Sequence, residues 1–162
     1  MFVLGHLGIG SRLLFGLRRR LPAWPLYLGC LLPDLIDKPL FYGLHGAWPL
    51  LTGTRSFGHT GLFLLALLLG AGLLRRPWAW AVAAGVATHL ALDIAGELVT
   101  GADPDSSIWL AVLFPARGVR FPVAHFTTVL EHLSVSAQSG YVLAGELIGG
   151  AILLAARRQR SS

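Results

Sequence analysis

Apolar residues run through this chain in long blocks closed by short polar or charged breaks, not in alternation. Phe2–Leu17 is the first block and ends at Arg18, Arg19 and Arg20. A second runs from about Pro22 to Gly43 and is interrupted by Pro25, Pro33 and Pro39. Gly58–Leu74 is rich in leucine and ends at Arg75 and Arg76; Trp78–Val99 opens on Trp78 and Trp80, a pair suited to a membrane interface. Gln138–Ala156 ends at Arg157, Arg158 and Arg160. Blocks of this length approach the ~20 residues that an α-helix needs to cross a bilayer. The pattern therefore predicts an all-α, polytopic membrane helical bundle with about five membrane segments, one of them broken by proline. Such a break is tolerated at membrane depth where neighbouring protein or a water-filled cavity satisfies the freed backbone groups.

Composition strengthens this reading. The chain is 54% hydrophobic and 13% charged, against roughly 25% charged residues in a soluble domain, and its mean hydropathy is +0.65. Its 162 residues fit one integral-membrane domain, residues 1–162. The first block has no basic stretch before it and no small-residue cleavage site after it, so it reads as a retained helix and not a signal peptide. A net charge of +5 would suit a nucleic-acid partner, but most of the basic residues cluster at the ends of apolar blocks. There they act as topology signals, and no nucleic acid is expected. With every arginine cluster on the cytoplasmic side, the N-terminus lies outside and the C-terminus inside. Residues 100–137 then form an external segment, apolar in part (Ile108–Phe114), which reads as an interfacial helix or lid. Cys30 is the single cysteine and reads as a small packed side chain.

The polar residues inside the blocks carry the chemistry. Ionisable groups in apolar segments are costly and mark functional sites. Here they are imidazoles and carboxylates, the ligand types that suit zinc and similar divalent ions: His6, Asp34-x-x-Asp37, His59 and His89-x-x-x-Asp93. His89 and Asp93 are four apart and share a helix face; Asp34 and Asp37, three apart, do the same. At ~1.5 Å per residue, the orientation set by the arginines alone brings these groups from four segments to one layer near the outer surface. Glu97 extends the Asp93 stripe outward, and Glu146 in the last block adds a carboxylate that should not face lipid. His125, Glu131 and His132 lie in the external segment, within reach of the same mouth.

Structural readings stand beside these. A single intramembrane histidine such as His6 serves equally well as an interhelical hydrogen-bonder. Asp37 followed by Lys38 reads as a plain ion pair, His45 as a surface residue, and Arg117 and Arg120 as solvated.

At these residues the chain resembles the bacterial and archaeal inner-membrane metal-dependent hydrolase family of the YdjM type. The resemblance covers about the first 100 residues. It rests on the segment with His6, on Gly29-Cys30-Leu31-Leu32-Pro33-Asp34-Leu35-Ile36-Asp37, on Arg55-Ser56-Phe57-Gly58-His59-Thr60, and on His89-Leu90-Ala91-Leu92-Asp93. More distantly, the order of histidines and aspartates is similar to that of the zinc-dependent phospholipase C family. Two places depart from the pattern: Gly5-His6 stands for the usual Thr-His, and the His that normally precedes Arg55 is Thr54.

The resemblance implies a phosphoester hydrolase of a prokaryotic cytoplasmic membrane with one to three divalent ions, zinc foremost. His6, Asp34, His59, His89 and Asp93 would be its ligands. On this reading Asp37 serves as ligand or base and Arg55 grips the substrate phosphate through a charge-assisted fork. Glu97, Glu131 or Glu146 orients a ligand or moves a proton. The bound metal activates water and polarises the phosphoryl oxygen, and the substrate is a phospholipid or similar amphiphile drawn from the bilayer. The rivals are a metal or proton transporter using the same ligands as a relay, and a non-catalytic membrane partner protein with a closed structural metal site. An intramembrane protease or amidase is disfavoured, because no His-Glu-x-x-His helix is present.

Overall fold

The computed structural model describes residues 3–14, 21–44, 46–101 and 103–161. The Arg18–Arg20 cluster, His45 and the side chain of Arg160 lie outside the described residues. The described chain is all-helical, without strands: α1 (Val3–Leu13), α2 (Ala23–Leu44), a 3-10 turn (Phe57–His59), α3 (Gly61–Leu74), α4 (Pro77–Thr100), α5 (Ile108–Val112), α6 (Val129–Ala137) and α7 (Gly140–Ser161).

The ends of these helices follow from local chemistry. Thr60 caps α3 by accepting from the Phe63 amide at 3.0 Å. Arg75 closes α3 in the left-handed region at φ 51°, and Pro77 then starts α4 at a position where its missing N–H is no loss.

Two helices are long and apolar enough to cross a membrane: α4, and the Gly140–Arg158 part of α7. The apolar α3 has 14 residues and spans about 21 Å, short of the ~30 Å hydrocarbon core. At 11 residues α1 is shorter still, and the 22-residue α2 carries Asp34, Asp37 and Lys38 together with Pro33 and Pro39. The expectation of about five crossings thus narrows to two helices that meet the requirement by themselves. Leu62, Leu65, Leu69 and Leu73 of α3 are nevertheless half or more exposed.

Two close helix crossings build the core. α2 against α4 is the most extensive pair and α1 against α7 the next. Both depend on glycine. A Cβ on Gly29 would lie 2.2 Å from the Val82 carbonyl oxygen, and one on Gly8 would lie 2.1 Å from that of Gly149. Small residues at such crossings let helix backbones touch, which brings α1, α2 and α4 close enough for short side chains to meet. Tyr141, in the first turn of α7, donates to the Leu92 carbonyl at 2.7 Å, and its ring fills the space beside Gly96.

Candidate metal centre

Asp37 on α2 organises one side of the site. It is fully buried and accepts from the backbone amides of Ser56 (2.7 Å), Gly58 (2.8 Å) and His59 (3.2 Å). It also accepts from Nδ1 of His59 at 2.7 Å. Gly58 allows this approach, since a Cβ there would sit 2.9 Å from the Pro33 carbonyl oxygen. A carboxylate with four donors has little capacity left for a metal or a proton. Asp37 is therefore corrected from ligand or base to the group that shapes the 3-10 turn and orients His59.

With Nδ1–H donated to Asp37, Nε2 of His59 carries a lone pair. The same holds for His89, whose Nδ1–H donates to the carbonyl of Cys30 at 2.8 Å. The second partner of a metal-binding histidine fixes its tautomer and ring orientation in this way. The two Nε2 atoms face each other at 3.2 Å, and both rings are completely buried. Two lone pairs at that distance repel unless a cation lies between them. The spacing also matches the edge of about 3.3 Å expected of a tetrahedron with Zn–N bonds of ~2.0–2.1 Å.

Carboxylates complete the set. Asp34 Oδ1 lies 3.8 Å from Nε2 of His59 and 4.0 Å from that of His89, and Asp93 Oδ2 lies 3.6 Å from Nε2 of His59. His6 approaches from α1, with Nε2 3.5 Å from Asp93 Oδ1. Its Nδ1 is buried and has no hydrogen-bond partner among the described residues, so it lacks the anchor that His59 and His89 possess. By proximity the donors form two triads, His6–His89–Asp93 and Asp34–His59–His89. The His6 and His89 rings, however, are stacked at 3.8 Å and 12°. An ion midway between such rings would stand up to about 1.9 Å off each plane, nearly a whole Zn–N bond. Nε2 of His6 thus faces Asp93 Oδ1, while Nε2 of His59 faces Asp93 Oδ2. The donor set fits a divalent ion, by type and by arrangement.

Cations rim the site. Lys38 Nζ bonds Asp34 Oδ2 at 2.7 Å, so the ion pair expected between Asp37 and Lys38 joins Asp34 instead, one helical turn away. Arg55 Nε donates to Asp93 Oδ2 at 3.2 Å. Three cavities meet at Arg55. The innermost, of about 90 Å³, also touches Asp34, Lys38, Asp93 and His132. One of about 240 Å³ leads past His132 and Ser136 to His125, and one of about 230 Å³ leads past Glu97 to Tyr141.

Two proposed catalytic carboxylates have other duties. Glu97 accepts from Ser107 Oγ at 2.7 Å and from the Ile108 amide, holding the start of α5. Glu146 accepts from the amides of Leu4 (3.1 Å) and Gly5 (2.8 Å), capping α1 just before His6. Both are corrected to structural caps. Glu131 forms a capping box with Thr128, and the amides of Thr127 and Thr128 lower its pKa. His125 is exposed and 3.6 Å from Asp103.

His132 does reach the inner cavity. Its Nδ1 lies 2.7 Å from the Tyr42 hydroxyl, and its ring stacks on Phe126 at 4.3 Å. The pKa of His132 falls to about 4, first through burial and then through the charge of Lys38. Tyr42 and the Cys30 carbonyl are contributors that sequence reasoning missed. A carbonyl carries no residue-type signal, and Tyr42 could have been found only by extending the Asp34–Lys38 row of α2 by a further four residues.

No family model matches the chain, and neither a curated protein nor a solved structure is significantly similar to it.

Proposed function

We propose that this protein is a membrane-embedded, metal-dependent hydrolase that cleaves a phosphoester of a phospholipid or another lipid-linked phosphate at the outer face of the membrane. The observation that carries the reading is the 3.2 Å approach of two imidazole lone pairs, flanked by Asp34 and Asp93 and opening on a cleft bordered by Arg55 and Lys38. Asp34, His59, His89 and Asp93 would hold one divalent ion, with zinc preferred for its tolerance of mixed nitrogen and oxygen ligands. His6 with Asp93 Oδ1 would add a second position. A bound ion supplies a Lewis acid for the phosphoryl oxygen and lowers the pKa of water.

The chain's own residues do the rest. Asp37 and the Cys30 carbonyl present Nε2 of His59 and His89 inward. Arg55 steadies Asp93 while its guanidinium borders all three cavities, a placement that suits an incoming phosphate. Lys38 adds charge at the same rim. An apolar groove of about 270 Å³, lined by Leu7, Trp24, Leu31 and Leu35 among others, offers room for an acyl chain. The likeness of the His and Asp segments to the inner-membrane hydrolase family points the same way. In this reading α1, α2 and α3 lie within the bilayer beside α4 and α7, with the arginine clusters cytoplasmic and the N-terminus outside.

A relay for ions or protons needs ionisable groups on both sides of the cluster. Along α4, the buried face from Ala79 to Thr88 is alanine, glycine, valine and threonine. The hydroxyls of Ser11 and Thr88 are spent on the Gly8 and Gly85 carbonyls. This favours hydrolysis over transport.

The test is metal analysis of the purified wild type, Asp34→Ala and His89→Ala, together with a screen of lipid phosphoesters. Stoichiometric zinc in the wild type, its loss in both variants and turnover that follows the metal are expected. A wild type without bound metal ends the reading; a metal-loaded protein inert towards every phosphoester leaves a structural metal in its place.

A further inference from the structure

The external segment contains one helix with two unlike faces. In α6, His132 and Ser136 are four residues apart on one side and line the cavities at Arg55. Taking ~100° per residue, Val129, Leu133 and Leu130 stand at about 0°, 40° and 100° of helical turn, an apolar arc that adjoins Ser136 at about 340° and His132 at about 300°. Val129, Leu133 and Leu130 are 54%, 46% and 77% exposed. A nine-residue helix that roofs a polar cleft would ordinarily turn its outer face to water and be polar there. This one does not.

Its position says what covers that face. Only Gln138 and Ser139 separate α6 from the start of α7 at Gly140, where one of the two membrane-length helices begins. Tyr141 sets α7 in register with the end of α4 through Leu92 and Gly96. Leu98 and Val99, within about 5 Å of Gly96 along α4, are therefore at the same level, and they are 74% and 72% exposed. The apolar face of α6 thus continues an apolar collar at the end where both long helices terminate. Proline-free, capped by Thr128 and Glu131, and with Val129, Leu133 and Leu130 gathered in one exposed arc, it has the form of a helix lying in the plane of a membrane interface.

We propose that α6 lies in the lipid headgroup layer, with Val129, Leu130 and Leu133 inserted in the bilayer and the His132–Ser136 face roofing the cleft. The partner of this surface is the bilayer itself. The cleft at Arg55 then opens at headgroup level, beside the leaflet, and takes an amphiphile from the membrane in preference to a phosphate free in water. The inference rests on the membrane reading above, and it is independent of whether the cluster is catalytic.

Site-directed spin labels test it in nanodiscs of phosphatidylcholine and phosphatidylglycerol. Single cysteines would replace Leu130, Leu133, Val135 and Leu147, with the parent chain as a control for buried Cys30. Labels at Leu130 and Leu133 are expected to relax several-fold more with dissolved oxygen than with a water-soluble nickel chelate, whereas a label at Val135 shows the reverse. Leu147, 75% exposed on α7, reports the membrane reading separately. A lipid-facing Leu147 with water-facing Leu130 and Leu133 overturns the proposal and leaves the membrane reading intact; a water-facing Leu147 overturns both. Spin–spin broadening between Leu130 labels would give this face to a second copy of the chain and likewise overturn it.

Discussion

Asp37 illustrates how much of this site is held by residues that would not touch a metal. Its carboxylate gathers three amides and one imidazole N–H, so the loop that delivers His59 is wrapped around a single side chain. Removing a partner of this kind from a metal-binding histidine typically lowers metal affinity 10–100-fold. Asp37→Asn keeps the shape but weakens the charge-assisted bonds, and it is expected to weaken zinc binding within about that range. Asp37→Ala, which strands buried amides at roughly 1–3 kcal/mol each, is expected to destabilise the fold itself. Competition titration with a chromophoric chelator, alongside a melting curve, separates the two effects. His6 provides the contrast. Lacking a second anchor, it should contribute less, and His6→Ala is expected to retain one ion where His89→Ala retains none.

His132 makes a prediction about pH. Its ordinary pKa of 6.5 falls to about 4 in the folded chain, mainly because burial disfavours the charged ring. Lys38 and Arg55 reinforce the shift and Asp34 opposes it. Between those values the unfolded chain binds a proton that the folded chain refuses, so stability falls as pH drops from about 6.5 towards 4. The difference between wild type and variant is what isolates His132. In melting curves from pH 7 to 4, His132→Gln should show a shallower decline than the wild type. Equal slopes would mean that His132 does not titrate as its surroundings require.

At the scale of helices, the crossings matter more than the helices themselves. Gly8 and Gly149 let α1 press on α7, and Glu146 holds the first turn of α1 to the same partner. A Cβ at Gly8 would collide with backbone, not with a side chain that can swing away. Gly8→Ala is therefore expected to cost about 1–3 kcal/mol, the usual range for overpacking, and to displace His6. Gly72→Ala on α3 meets nothing within 4 Å and should be neutral or slightly stabilising, because alanine favours the helix by up to ~1 kcal/mol. Thermal unfolding in one detergent, with zinc content measured in parallel, checks both.

Helix type and the identity of the buried histidines could be read from the sequence, since apolar blocks and ionisable residues inside them are strong local signals. His6, Asp34, His59, His89 and Asp93 do converge. What local signals cannot carry is the partner of a carboxylate: Glu97, Glu146 and Asp37 looked alike in apolar context, and only the crossings show that each binds backbone amides. The expected count of about five segments is met in part, by two helices of membrane length, for a related reason. Hydropathy measures how apolar a block is, but not that α2 runs unbroken through Pro33 and Pro39 or that a 3-10 turn trims the start of α3.

For the whole molecule, the cluster acts as a clasp. α1, α2, the 3-10 turn and α4 each contribute a donor, and they come from sequence positions 6 to 93. With no ion bound, the two facing lone pairs and the carboxylates of Asp34 and Asp93 are held together by Lys38 and Arg55, by the Asp37 and Cys30 anchors of the two rings, and by packing. An ion that binds the folded chain and not the unfolded one adds RT ln(1 + [ion]/Kd), about 2.7 kcal/mol at a hundredfold excess over Kd. Dialysis against a strong chelator should thus lower the unfolding temperature by several degrees, and zinc should restore it. Asp93→Asn, which removes the carboxylate standing between the two proposed ion positions, should melt near the chelated wild type and gain nothing from zinc. Calcium or magnesium, which demand six or more oxygen ligands or near-ideal octahedral geometry, should rescue the wild type far less than zinc. If the chelated and untreated proteins unfold at the same temperature, the four elements are held by packing alone and the clasp does not exist.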